Sequence, residues 1–142
     1  MRRSVLFLLM FALANAAVAA PDRSRQNYIQ FCAGCHQIDG SGSPGVGIPD
    51  MRGQLGYFLN SPGGRAFLVQ VPGSANSPLS NAELALLLNW MLKVFSPAQV
   101  PASFVPYSAD EVSSLRAQVP AAVDDLRREV TAELQRQGFP VK

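Results

Sequence analysis

The chain has 142 residues, 48% of them hydrophobic and 15% charged, which suits one compact domain and excludes a large multidomain enzyme. Twelve Lys and Arg against ten Asp and Glu give +2, and with Arg2 and Arg3 set aside the count is ten against ten. A near-neutral chain has no overall field to draw nucleic acid or an anionic membrane surface, so polyanion binding is excluded as its main function.

Residues 1–19 read as an export signal. Arg2 and Arg3 form a positive leading segment, residues 5–14 an apolar run, and Ala17, Val18 and Ala19 an A-x-A cleavage site. Cleavage is expected near Ala20, leaving no membrane span and a periplasmic or otherwise exported product. Export places Cys32 and Cys35 in an oxidising compartment, where an idle thiol pair closes a disulfide unless something else claims it.

A short helix is expected over residues 22–31, capped by Asp22 or Ser24 and carrying Tyr28, Ile29 and Phe31 into Cys32. Glycine or proline at 40, 42, 44, 45, 47 and 49 makes GSGSPGVGIP a loop. Residues 55–59 and 66–71 are apolar stretches, helical turns or extended, separated by a turn at Pro62, Gly63 and Gly64. The clearest helix covers residues 81–94: Ser80 and Glu83 make a capping box, and Leu84, Leu87, Leu88 and Met91 share a face.

Pro97, Pro101 and Pro106 mark a stiff, extended connector. Ser108 and Glu111 repeat the capping-box pattern ahead of a helix with the stripe Val112, Leu115, Val119, stopped by Pro120. A last helix is expected over residues 121–136, with Val123, Leu126, Val130 and Leu134 on one side and Asp124 paired with Arg128. That stripe is expected to cover the chain's own surface. No strand alternation and no internal repeat appears. The organisation that follows is a signal at 1–19, a core at 20–96, and a Pro-rich connector with a helical C-terminal extension at 97–142.

The chemistry concentrates in Cys32, Ala33, Gly34, Cys35 and His36, the C-x-x-C-H pattern of covalent c-type haem attachment. Two thiols on one tight turn can each add across a vinyl group of the porphyrin edge, and the next side chain then lies beneath the ring, where it reaches the iron. Both cysteines are consumed. A thioredoxin-like redox pair needs a helix after the motif, which DGSGSPGVG forbids, and a zinc site needs further Cys or His ligands that this chain lacks.

CAGCH after a short helix, then DGSG, IPDMRG and LSNAELALLLNWML, resembles a class I cytochrome c, a small all-helical monohaem electron carrier. The resemblance covers residues 23–94. It implies an all-α fold of short helices packed around one haem c, held covalently through Cys32 and Cys35, with His36 as axial ligand. It also implies that Tyr28 packs against the last core helix, where Trp90 holds the usual aromatic position and is counted with the cofactor-binding set. IPDMRG resembles the family's G-P-x-L-x-G turn, which implies that the Pro49 carbonyl accepts the other ring N–H of His36 and fixes its tautomer.

One position departs from the family pattern. Its sixth iron ligand is a Met in a Met-Pro pair ahead of the last core helix; here that pair reads Val71-Pro72, and valine has no donor atom. Met51 and Met91 are the candidate replacements, with Asn76 as a weak alternative, and both methionines also suit ordinary packing. His36 is the only histidine, so bis-histidine ligation within the chain is excluded. Arg65 is a candidate partner for a haem propionate. Tyr57, Phe58 and Phe67 are expected to wall the pocket.

These residues point to a non-enzymatic periplasmic cytochrome that carries single electrons between redox proteins, such as a periplasmic dehydrogenase or a terminal oxidase chain. Two alternatives stay open: a five-coordinate haem protein that binds a small gas or peroxide, and a cytochrome subunit of a periplasmic dehydrogenase docked through the segment beyond Pro97.

Overall fold

The computed structural model describes residues 22–142, so the expected export signal lies outside the described residues. Seven α-helices follow in order: α1 (Ser24–Phe31), α2 (Ala33–His36), α3 (Pro62–Gln70), α4 (Pro72–Ala75), α5 (Asn81–Phe95), α6 (Ala109–Arg116) and α7 (Val123–Arg136). Short 3-10 turns lie at Pro44–Val46, Leu55–Asn60 and Pro97–Gln99. Among the described residues the only β-type pairing is an isolated bridge between Ser43 and Ile48, and the protein is all-α as expected. No described helix is long and apolar enough to cross a membrane.

The core is built on α5. Its start is fastened by the expected capping box, in which Ser80 Oγ accepts from the Glu83 N–H and the Glu83 carboxylate accepts from the Ser80 N–H at 2.9 Å. Leu84, Leu87, Leu88, Met91 and Leu92 turn inward and are buried. Burial of each large aliphatic side chain contributes roughly 1.5–3 kcal/mol, which outweighs the few tenths at stake in local helix propensity.

Helix α1 crosses α5 through aromatic rings. Tyr28 lies 5.6 Å from Trp90 and 5.0 Å from Phe95, ring centre to ring centre, so the expected packing of Tyr28 on the last core helix is present. The expected cap at Asp22 or Ser24 is displaced: Arg23 holds the cap position without a side-chain bond, and Asp22, one residue earlier, accepts from the Ser24 N–H at 2.9 Å.

The two apolar stretches that pattern alone leaves as helical or extended are both helical. The expected turn at Pro62, Gly63 and Gly64 is instead the opening turn of α3: Ser61 caps it by accepting from the Gly64 N–H at 2.9 Å, and Pro62 occupies the first helical position, where its missing N–H costs nothing. The glycines that suggest a turn serve close packing; a Cβ on Gly64 would stand 2.2 Å from the Phe58 carbonyl oxygen.

Residues 97–142 are packed into the same hydrophobic core. Tyr107, Val112, Val130, Leu134 and Val141 are buried with the α5 side chains. Helix α6 lies against α5 and α3, while α7 lies against α3 and the Leu55–Asn60 turn, so the Val130 and Leu134 part of the α7 stripe covers the chain's own surface. Two local expectations differ. Ser108 caps α6 through the Glu111 N–H at 3.2 Å, but the Glu111 carboxylate turns to Arg65 and the box stays half-formed. On α7, Arg128 pairs with Asp125, at i,i+3, rather than with Asp124; both positions neighbour it on the helix surface. Helix α6 ends at Arg116, before Val119, which is exposed.

Candidate functional site

The attachment segment is a single helical turn set at the end of α1. Cys32 donates its N–H to the Tyr28 carbonyl at 2.9 Å and closes α1; its own carbonyl then accepts from Cys35 at 3.2 Å and His36 at 2.9 Å, opening α2. Cys32, Cys35 and His36 therefore sit on one turn, as the pattern requires. Cys32 is half-buried against the core and Cys35 is exposed; both are free thiols. Burial, with a smaller contribution from Cys35, pushes the Cys32 thiol up to about 11, so it is neutral at pH 7.

The turn is held from behind. Gln37 takes a left-handed backbone conformation with φ of 62°, reversing the chain directly after His36. The Tyr28 hydroxyl donates to the Gln37 carbonyl at 2.7 Å and stabilises that reversal, a role beyond the packing expected of Tyr28. The same burial pushes the Tyr28 phenol up to about 12.

The loop of residues 40–49 folds under His36. Gly42 donates its N–H to the His36 carbonyl at 3.0 Å, and a Cβ on Gly42 would stand 2.3 Å from the Pro49 carbonyl oxygen. Glycine is required there both by that approach and by a φ of +65°. The close approach brings the Pro49 carbonyl to the His36 ring, where it favours the protonated imidazole. Burial outweighs it, with the Arg127 charge acting in the same direction as burial, so the His36 pKa lies below its usual value and the ring is neutral at pH 7. The ring's Nδ1 is buried and has no hydrogen-bond partner.

A half-buried, neutral imidazole beside two thiols on one turn is a donor set that fits haem c: one nitrogen for iron, two sulfurs for the porphyrin edge. The other expected site residues are placed as follows. Met51 and Met91 are both buried in the core, at 6% and 9% exposure. Val71 is half-buried and packed against the core, at the start of α4, and Asn76 is exposed. Trp90 is engaged with Tyr28 and, at 5.6 Å, with Phe95. Phe58 and Phe67 are buried and stacked at 5.5 Å, and Tyr57 meets Phe139 of the C-terminal segment at 5.7 Å.

Arg65 has a partner within the chain. Its Nε and Nη2 donate to the two Glu111 oxygens at 2.6 and 2.8 Å, and its guanidinium lies 4.1 Å from the centre of the Tyr107 ring. Both N–H groups of Nη1 and the second one of Nη2 are left for a propionate. Sequence reading missed three cations and their work: this use of Arg65, Arg116 on the loop before α5, and Arg127 near His36. None carries a local signal, since each partner lies far along the chain.

Two proteins are similar to the chain along most of their length. One is a cytochrome c-552 of Thermus thermophilus, 32% identical over 136 residues, covering 83% of this chain and 88% of that protein. The other, a second cytochrome c-552 of the same species, is 32% identical over 105 residues, covering 61% of this chain and 79% of that protein. No protein-family model matches the chain.

Proposed function

The chain belongs to the c-type cytochromes, and from that premise we propose that it holds one haem c through Cys32 and Cys35, with His36 as axial ligand, and carries single electrons between exported redox proteins. The observation that carries this reading is the single turn that bears both thiols and a half-buried neutral imidazole, with the Pro49 carbonyl beside the ring. When bound, the haem iron supplies the one-electron couple. Everything else is work of the chain. Cys32 and Cys35 tether the ring so that it is not lost after export. His36 presents an uncharged nitrogen, the Tyr28 hydroxyl keeps the turn closed behind it, and the exposed Cys35 side marks the edge at which electrons pass.

The test is a mass measurement and a redox titration of purified protein. The expected result is one covalent haem per chain, lost in Cys32→Ala/Cys35→Ala, and a reversible one-electron couple. Absence of that couple overturns electron carriage.

A second reading is favoured by Val71 and its neighbours. Residues 71–79 contain no Met, His, Cys or Lys, Asn76 is their one weak donor, and Met51 and Met91 are packed in the core, which supports a site without a strong sixth ligand. In this reading the site binds a small gas. Wild-type ferrous protein whose spectrum shifts with carbon monoxide supports it, and an unresponsive low-spin spectrum with a sulfur-to-iron band assigns Met51 or Met91 instead. Docking of a dehydrogenase through residues 97–142 must use faces other than Val130 and Leu134, which are buried.

A further inference from the structure

We propose that Arg116, in the C-terminal segment, is the positioning residue for the loop of residues 71–79 and thereby sets access to the side of the site opposite His36. The inference rests on the proposed haem reading only in where that loop faces.

The Arg116 guanidinium reaches across to five acceptors. Nη1 donates to the Leu79 carbonyl at 2.8 Å and to Asn81 Oδ1 at 3.0 Å; Nη2 donates to the Ser74 carbonyl at 2.9 Å, the Ser77 carbonyl at 3.2 Å and Ser77 Oγ at 2.7 Å. None is a carboxylate, so the residue is placed here for its fork of donors and not for neutralisation of an acid. Desolvation holds the Arg116 pKa below its ordinary value, a cost that only the set of aimed carbonyl dipoles offsets.

The loop has little else to hold it. Its regular part, α4, is one turn of four residues, below the length at which a helix sustains itself. Pro72, Gly73, Asn76 and Pro78 are exposed, and Leu79 is the one fully buried anchor. It holds no Met, His, Cys or Lys, and Asn76 is its one weak candidate donor to iron. The loop's entrance is tied to the same helix end: Gln70, directly before Val71, donates to the Gln118 carbonyl at 3.0 Å and the Leu115 carbonyl at 3.4 Å. The end of α6 thus grips the loop at its entrance through Gln70 and along its length through Arg116.

The experiment compares holoprotein with Arg116→Gln, Ser77→Ala and Leu134→Ala, the last removing a fully buried side chain of α7 away from the loop. Two readouts are taken: amide hydrogen exchange at Ala75 and Asn76, which donate within the loop to Val71 and Pro72, and the rate of carbon monoxide binding to the ferrous form. In Arg116→Gln, exchange at both amides is expected to rise on the order of ten- to a hundredfold, with a change in the carbon monoxide response. Ser77→Ala, which deletes the 2.7 Å bond from Arg116 and the 3.1 Å bond that Ser77 Oγ donates to the Ser74 carbonyl but keeps the other four Arg116 contacts, moves both readouts the same way by a smaller factor. Leu134→Ala lowers global stability and moves neither. Loop exchange that stays at the wild-type rate, a carbon monoxide response equal to wild type, or equal effects in Leu134→Ala overturn the proposal. The wild-type carbon monoxide response alone decides whether the sixth position is open, and covalent haem in the mass spectrum decides the attachment reading, so those failures are distinct from failure of the clamp.

Discussion

Arg65 and Glu111 meet fork to fork at 2.6 and 2.8 Å, joining α3 to α6 across 46 positions of sequence. The pair is partly buried, and the Arg65 guanidinium also stacks on Tyr107, whose hydroxyl donates back to the Arg65 carbonyl at 2.8 Å. Glu111→Gln keeps the shape and removes the charge, and about 1–3 kcal/mol of unfolding free energy is expected to be lost. Chemical denaturation of the holoprotein measures it. Arg65→Met tests the same contact from the other side and leaves haem attachment intact.

Tyr28→Phe removes the hydroxyl that donates to the Gln37 carbonyl and nothing of the ring packing. The expected cost is about 1 kcal/mol, with the ring contacts to Trp90 and Phe95 retained. Its sign is read by urea unfolding. Because the bond holds the reversal after His36, the loss is also expected to appear as faster exchange of the Gly40 and Gly42 amides, both of which donate to that turn.

Gly42→Ala places a methyl 2.3 Å from the Pro49 oxygen at a φ that side chains rarely adopt. Roughly 1–3 kcal/mol of stability is expected to be lost. The Pro49 carbonyl is pushed off the His36 ring, so the imidazole becomes a weaker donor. The oxidised state then loses more than the reduced one, and the midpoint potential rises. Potentiometry checks the direction; an unchanged potential in a folded variant argues against the role of Pro49.

The start of α5 supplies a pH dependence. Its Ser80 partner, side chain first and backbone second, holds the Glu83 carboxyl below the usual carboxylate range. A group whose folded pKa is depressed stabilises the protein above its unfolded value of about 4.3, and that contribution is lost as pH falls through the folded value. Glu83→Ala is therefore expected to show a shallower loss of stability than wild type on acidification below about pH 4, with the two curves furthest apart near neutral pH. Thermal unfolding at pH 7 and pH 3 measures the difference.

The elements legible in the sequence are those whose signals are local. CAGCH folds as one turn because its hydrogen bonds close within five residues, and α5 forms where Ser80 and Glu83 reciprocate and the leucines repeat at helical spacing. The opening of α3 is also written locally, in Ser61 and Pro62, but two glycines mask that signal in the sequence, and only the approach of Phe58 shows what they accommodate.

Sequence by itself determined the all-α class, the C-x-x-C-H spacing of Cys32, Cys35 and His36, and the absence of a donor at Val71, since each depends on residue type and short spacing alone. Tertiary structure decided where the charged groups go. Glu111 leaves its own cap for Arg65, and Arg116 crosses to Ser74, 42 positions earlier in the chain. A long side chain on an exposed helix face finds a neighbour at i+3 or i+4, but a partly buried guanidinium takes whatever acceptors packing brings within its fork. Those acceptors, in the Arg65 and Arg116 contacts alike, come from segments that meet only when α6 closes on α3 and α5.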